Sequence, residues 1–276
     1  MDTTPSPHAK TPAGSRGIED LEVLHVAPRS RERLADRVIG EAPVAMVYNG
    51  VSFAVMLATP CDLEDFALGF ALAEGIIAEP AEFELVDVLR TERGVSLQGL
   101  IPSRCFAALA DRRRNLAGRS GCGLCGIESL EDAVRPVPRV ASAANFSRDA
   151  IASGMRALAE AQPLNAATGG AHAAAFVGRD GTSTVREDVG RHNALDKLIG
   201  ALASQGLTGA DGFLAITSRA SWEIVHKAAH AGIAVIAAIS APTSLAVSAA
   251  DAAGITLIAF ARNEAMNVYT HANRIG

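Results

Sequence analysis

The sequence predicts an α/β protein: a main unit with parallel strands in its C-terminal half, preceded by a smaller α+β unit. Three observations carry this. Residues 213–217, 233–239 and 255–260 are continuous apolar runs without alternation, as expected of strands buried on both faces. Helical stretches lie between them, at 221–231 and 243–253, each ended by a glycine, Gly232 and Gly254. Those glycines are 22 positions apart (254 − 232) and stand in the similar phrases Ala-Gly-Ile-Ala-Val-Ile-Ala and Ala-Gly-Ile-Thr-Leu-Ile-Ala. One αβ unit is thus used twice, and right-handed crossovers make its strands parallel. Upstream the pattern changes to short hairpins and isolated helices. The division expected is a tail at 1–20, a small α+β region at 21–140 and the α/β unit at 141–276.

In chain order, residues 1–17 are rich in Pro, Thr, Ser and Gly and lack the apolar core of a signal peptide; they are expected to be disordered. Weak alternation over 21–26 predicts a first strand. Two β-rich runs within 44–57 meet at Asn49-Gly50, a dipeptide that tolerates the positive φ angles of a type I′ turn, and predict a hairpin. Asp62 is expected to cap a helix, with Glu64 and Asp65 in the first turn, where the dipole favours acids. Phe66, Leu68, Leu72 and Ile76 keep helical spacing to about residue 77. A second hairpin, 83–90 with 95–101, turns across Thr91-Glu92-Arg93-Gly94, and a helix follows over 103–115. Arg135-Pro136-Val137-Pro138 reads as a stiff extended connector. Asn145 or Ser147 caps a helix running to about 160. Residues 171–177 and 183–186 form a hairpin turning at Arg179-Asp180-Gly181. The helix over 191–204 places Leu195, Leu198, Ile199 and Leu202 on one face.

Composition narrows the function. At 276 residues, 49% hydrophobic and 20% charged, the chain can bury a sizeable core. A net charge of −5 and a pI near 5.8 argue against a general nucleic-acid surface. No apolar run approaches the roughly 18 residues needed to span a bilayer. Four cysteines without a secretory signal do not make a disulfide framework, so the expectation is a cytoplasmic protein with reduced thiols.

The chemistry concentrates in Gly118-Arg119-Ser120-Gly121-Cys122-Gly123-Leu124-Cys125-Gly126, with four glycines in nine residues and no apolar periodicity. Such a backbone gives the two sulfur atoms freedom and little steric cover. Structural zinc needs two further ligands, but Cys61 and Cys105 are isolated and no second pair exists. A thioredoxin-like dithiol opens a helix, which Gly and Leu between glycine-flanked cysteines do not resemble. An inert pair would more often be embedded in apolar sequence. A fourth chemistry is a thiolate that accepts sulfur as a persulfide and hands it on. It must be partly exposed, ionise near neutral pH and reach two partners in turn. Five basic residues (Arg104, Arg112, Arg113, Arg114, Arg119) against one acid, Asp111, precede Gly121 and favour the thiolate, although basic side chains also complement a helix end. A zinc deaminase is a further class to weigh. Its chemistry needs His-x-Glu or Cys-x-Glu and Pro-Cys-x-x-Cys. None of the seven histidines or four cysteines has Glu at the second following position, and no proline precedes Cys122.

Parallel strands place their carboxyl ends on one edge, where open α/β sheets bind ligands. That edge collects Ser218 and Arg219, then Ser240, Ala241 and Pro242, then Arg262 and Asn263. Two arginines and two hydroxyls beside helix starts suit a phosphate or pyrophosphate. The polar stretch Glu187-Asp188-Val189-Gly190-Arg191-His192-Asn193-Ala194-Leu195-Asp196-Lys197 is dense for a helix start. His172 and His192 are candidates to touch the ligand or the thiol loop, against the ordinary role of a satisfied structural histidine.

Four segments in order, GRSGCGLCG (118–126), TGGAH (168–172), EDVGRHNALDK (187–197) and SAPTSL (240–245), resemble the FdhD family of formate dehydrogenase accessory proteins. The resemblance covers nearly everything from about residue 43 to 269. It implies a sulfurtransferase that takes sulfur from a cysteine desulfurase and delivers it to the molybdenum bis-molybdopterin guanine dinucleotide cofactor of formate dehydrogenase. It also implies a cytidine-deaminase-like, three-layer main domain with a smaller companion, and a homodimer. The cofactor is then a bound acceptor, with no tightly held metal of the protein's own. Carried over by position, Cys122 is the persulfide-bearing cysteine and Cys125 its partner. Phe260, Ala261, Arg262, Asn263, Glu264 and Ala265 occupy the place of the cofactor-binding segment, joined by Arg219 and Ser240 from the edge argument and by His172 as a candidate ligand contact. Glu264 sets a negative side chain where phosphate is expected. Two other readings stand beside this one: a cofactor chaperone whose cysteines only dock a partner, and a zinc-binding module.

Overall fold

The computed structural model describes residues 17–116 and 136–276. Strands β1 (Ile18–Ala27) and β2 (Ser30–Ile39) form an antiparallel ribbon. β1 starts inside the stretch expected as a tail. β2 has no apolar alternation to announce it: its Arg, Glu and Asp side chains stand in solvent, and it is a strand because β1 supplies the ladder.

β3 (Ala42–Tyr48) and β4 (Val51–Ala58) meet at Asn49 and Gly50, with φ of 49° and 81°, the positive pair a type I′ turn requires. After helix α1 (Leu63–Ala73), β5 (Glu84–Thr91) and β6 (Gly94–Leu100) form the second hairpin. The four strands lie in the order β4-β3-β6-β5, with β3 and β6 parallel. Leu63, Phe66 and Phe70 of α1 pack on Val44, Met46 and Leu97 of this sheet. Asp62 precedes α1 with a φ of 49° and makes no side-chain cap, so the expected cap bond is corrected: the chain enters the helix from a left-handed residue. α1 also stops short of residue 77, because Gly75 turns at a φ of 63° and the Ile76 amide bonds back to the Ala71 carbonyl. α2 (Ser103–Leu116) follows.

α3 (Arg148–Glu160) is capped by Ser147, whose Oγ accepts from the Ala150 amide at 3.1 Å. α4 (Pro163–Thr168) was not expected; its first amides, Leu164 and Asn165, donate to the Glu187 carboxylate at 2.8 Å each. Then come β7 (His172–Gly178), β8 (Ser183–Asp188), α5 (Arg191–Ser204), β9 (Gly212–Ile216), α6 (Trp222–His230), β10 (Val235–Ala238), α7 (Ser244–Ala253), β11 (Thr256–Arg262) and β12 (Ala265–Val268). These strands lie in the order β12-β11-β10-β9-β7-β8. β9, β10 and β11 are parallel as the apolar runs predict, but antiparallel β12 and β7 flank them, so the sheet is mixed. Leu195, Ile224 and Ala246 of α5, α6 and α7 cover one face. Ile151, Met155 and Leu158 of α3 cover the other.

α1 joins the two sheets. It crosses α5 so closely that a Cβ on Gly69 would overlap the Asp196 carbonyl, and one on Gly200 the Asp65 carbonyl. Glycine here is a matter of space rather than of dihedral freedom, and the two helices touch backbone to backbone.

Candidate functional site

The antiparallel flanks bring more to the sheet edge than the parallel strands alone. β7 runs opposite to β9, so its first residue, His172, stands beside the end of β9, and it pairs in register with Asp188 at the end of β8. The edge therefore reads, strand by strand, Asp188, His172, Thr217-Ser218-Arg219, Ser240 and Phe260–Arg262. The connections are tied to one another: the Ala220 amide donates to the Ala241 carbonyl at 3.2 Å, and the Thr243 amide to the Ala220 carbonyl at 3.0 Å. Ser218 is buried and donates its hydroxyl to the Arg219 carbonyl at 3.0 Å, whereas the Arg219 and Arg262 side chains are exposed.

Phe260 to Ala265 is the end of β11, a tight turn and the start of β12. The ladder bulges between Ala259 and Arg262, and Phe260 takes a φ of 52°, a conformation that costs a bulky residue roughly 1–2 kcal/mol. Its amide donates to the Ser240 carbonyl at 3.2 Å. The Arg262 guanidinium lies 6.0 Å from the Phe260 ring centroid, within cation–π range. Asn263 and Glu264 make the turn at φ of 51° and 62°. Glu264, the side chain that fits a phosphate site least, pairs with Arg156 of α3 at 3.8 Å.

The dense polar stretch before and within α5 divides between two tasks. Its buried members clasp the segment after β4. Lys197, fully buried, places Nζ 2.7 Å from Asp188 and 2.9 Å from the Thr59 carbonyl. Asp188 accepts from the amides of Thr59 and Gly190 at 2.9 and 2.8 Å and from Asn193 Nδ2 at 2.9 Å. The Val189 amide donates to Thr59 Oγ1 at 3.0 Å. One turn on, Lys227 of α6 pairs with Asp196 and Glu74, at 2.8 and 2.9 Å. Burial alone would lower the Lys227 ammonium, but those two carboxylates outweigh it and raise its pKa, so it stays charged.

Arg191 and His192 stand apart from this clasp, with Arg191 near enough to His172 for its charge to act on the ring. Burial first, then the Arg191 guanidinium, hold His172 below the usual imidazole range. The same two causes push His192 down to about 4, so both rings are neutral at pH 7. His192 Nε2 stands 3.8 Å from Glu223 in the first turn of α6, too far for a hydrogen bond. Burial opposes ionisation of Glu223, yet the Ser221 hydroxyl, then its own backbone amide, His192 and Arg191, hold the carboxyl below its ordinary value. His192 Nε2 and Trp222 Nε1 are enclosed and have no hydrogen-bond partner among the described residues.

Of the residues expected from the sequence, His172, Arg219, Ser240 and Phe260 to Ala265 share this edge. Cys122 and Cys125 lie outside the described residues. Arg191, Ser221, Trp222 and Glu223 were not singled out as edge residues, although their places at the starts of α5 and α6 follow from the strand order. Among the described residues, no group of three or more His, Cys, Asp or Glu is arranged to hold a metal. No helix among them is long and apolar enough to cross a membrane.

Residues 39–276 match the model of the FdhD/NarQ family. A protein of Xanthomonas oryzae pv. oryzae (strain MAFF 311018) named Sulfur carrier protein FdhD is 50% identical over 270 residues, 96% of each chain. The proteins of the same name from Xanthomonas campestris pv. campestris (strain B100) and Bordetella petrii are 55% and 49% identical, over 87% of this chain and 86% and 87% of their own. A crystal structure of a candidate formate dehydrogenase accessory protein from Desulfotalea psychrophila superposes with a TM-score of 0.72 at 23% identity, covering 95% of this chain and all of the other.

Proposed function

The chain belongs to the FdhD/NarQ family, and on that premise we propose that it is a sulfur carrier for formate dehydrogenase that works through Cys122. The observation that carries this is the family match itself, whose span includes both the cysteine pair and the whole sheet edge. In the first step the Cys122 thiolate attacks the outer sulfur of a cysteine desulfurase persulfide. The S–S bond breaks, the desulfurase thiolate leaves, and Cys122 holds the sulfur as its own persulfide. In the second, the Cys125 thiolate attacks the inner sulfur and expels hydrosulfide toward the acceptor. The two thiols supply the two electrons and become a disulfide, which a cellular dithiol reduces to reset the pair.

The acceptor on this reading is the bis-molybdopterin guanine dinucleotide cofactor, bound as substrate with its phosphates at the edge. Arg219 and Arg262, the starts of α6 and α7 and the exposed turn at Asn263-Glu264 support that placement. The mixed sheet with helices on both faces is compatible with a cytidine-deaminase-like main domain. The reading also carries a homodimer in the cytoplasm with no resident metal.

The test separates the two halves. After incubation with a cysteine desulfurase and cysteine, intact-protein mass spectrometry is expected to show a one-sulfur adduct that Cys122→Ala removes. Arg219→Ala and Arg262→Ala are expected to keep the adduct and to weaken GDP binding by about tenfold each, as loss of a charge-assisted bond does. An adduct that survives Cys122→Ala rejects the carrier assignment. Activation of formate dehydrogenase by a Cys122→Ser variant would favour a chaperone that merely holds the cofactor.

A further inference from the structure

The seam where α1 meets α5 and α6 holds two acids and one base. Lys227 Nζ lies 2.8 and 3.1 Å from the two carboxylate oxygens of Asp196 and 2.9 Å from Glu74 Oε1. The Asp196 side chain is 1% exposed and that of Lys227 7%, while at 19% the Glu74 side chain reaches water. Glu74 directly follows α1, Asp196 lies in α5 and Lys227 in α6, so one ammonium ties the small sheet's helix to the main sheet. With all three groups ionised, two carboxylates face one ammonium and a surplus negative charge is left away from solvent. A buried charge without a partner is costly, and a site of this kind sheds it by binding a proton.

The surroundings decide which carboxyl takes that proton. On α1, the Phe70 ring lies 5.4 Å from the Lys227 ammonium. On β3, the Tyr48 hydroxyl is enclosed without a partner among the described residues, and burial, then the charges of Glu74 and Asp196, keep the phenol protonated. From α5 come His192, whose ring feels Lys227 and Glu74, and Lys197, paired with Asp188 of β8. From α6 come Glu223, His226 and His230, the last with Nε2 close against Gly75. Burial acts most strongly on Asp196. Lys227 opposes it, Glu74 and Asp188 reinforce it, and the carboxyl is pushed up to about 7. We infer that Asp196 is a proton-operated latch between the two sheets. Below neutral pH it keeps its proton, leaves the Lys227 ammonium to Glu74 and lets that pair fasten α1 to α6. Above neutral pH the proton passes to solvent, two carboxylates share one ammonium, and α1 loosens.

Urea denaturation of the full chain and of Asp196→Asn, between about pH 5 and about pH 8, tests this. An acid held above its ordinary 3.8 contributes stability that is full below that value and is lost as pH rises to about 7. Asparagine stands in for the protonated acid at every pH. The folding constant of the variant relative to the wild type is therefore expected to rise about tenfold per pH unit up to about pH 7, then to level off. Titration of the histidines is common to both proteins and cancels in this ratio. Glu74→Gln removes a repelling charge and is expected to move the levelling point to lower pH. Hydrogen exchange along α1, corrected for its intrinsic pH dependence, is expected to quicken above neutral pH in the wild type and to stay constant in Asp196→Asn. Should that variant fail to fold, infrared spectra of the wild type decide: a protonated-carboxyl band is expected at about pH 6 and should fade by about pH 8. A flat ratio, or no such band at about pH 6, would mean that Asp196 stays ionised and overturns the inference. A rising ratio with α1 exchange indifferent to pH would mean that the proton binds without releasing the helix, which overturns the latch.

Discussion

Lys197→Met is expected to lower the stability of the protein by about 3–5 kcal/mol, the range for stranding one partner of a buried ion pair. Against the roughly 5–15 kcal/mol of an ordinary domain, much of the chain would unfold at physiological temperature. Asp188, fully buried, loses its only cationic partner among the described residues and keeps only the amides of Thr59 and Gly190 and the Asn193 side chain. The Thr59 carbonyl loses the bond that ties it to α5. Asp188→Asn added to Lys197→Met removes the stranded charge and is expected to recover part of the loss, which urea denaturation of the single and double variants measures. Additive losses would show that the two groups do not act as a pair.

Gly200→Ala is the second large effect, and its sign is the informative part. On an open helix the change is worth about 1 kcal/mol in favour of alanine. Here the added methyl meets the Asp65 carbonyl of the neighbouring helix. The backbones must part, and overpacking of this kind costs about 1–3 kcal/mol or more. A net destabilisation by denaturant titration is the expected result, and Gly69→Ala should repeat it from the other side. A more stable Gly200→Ala protein would contradict the backbone contact between α1 and α5.

Where local chemistry decides the structure, the residues announce it. Asn49-Gly50 makes its turn with both φ angles positive, and the apolar runs around Phe213, Ile236 and Leu257 become parallel strands because burial on both faces needs no alternation. Where a distant partner decides, they do not. β2 is a charged run that pairs only because β1 lies beside it, and α4 depends on Glu187 accepting its first two amides. Asp62 carries a good capping side chain but sits at a positive φ, from which it makes no cap.

The site divides in the same way. Strand order alone puts Arg219, Ser240 and Arg262 on one edge, and the match of β7 to β9 adds His172. The polar stretch from Glu187 to Lys197 is dense for a helix start, with His192 its one candidate to touch a ligand. Its buried half instead fastens onto Thr59, 129 residues away from Asp188 in sequence, a partner no local pattern reveals. Glu223 lies in the first turn of a helix that the sequence announces, but only the fold sets its carboxylate 3.8 Å from His192.

The central claim is that one thiol carries sulfur to a cofactor held at the sheet edge. Protein loaded with isotopically labelled sulfur, mixed with the sulfur-free cofactor in a single turnover, tests it most directly when GDP is added as a blocker. Saturating GDP is predicted to slow label transfer to the cofactor and to leave loading from the desulfurase untouched. Transfer at full rate with GDP occupying the edge would contradict it.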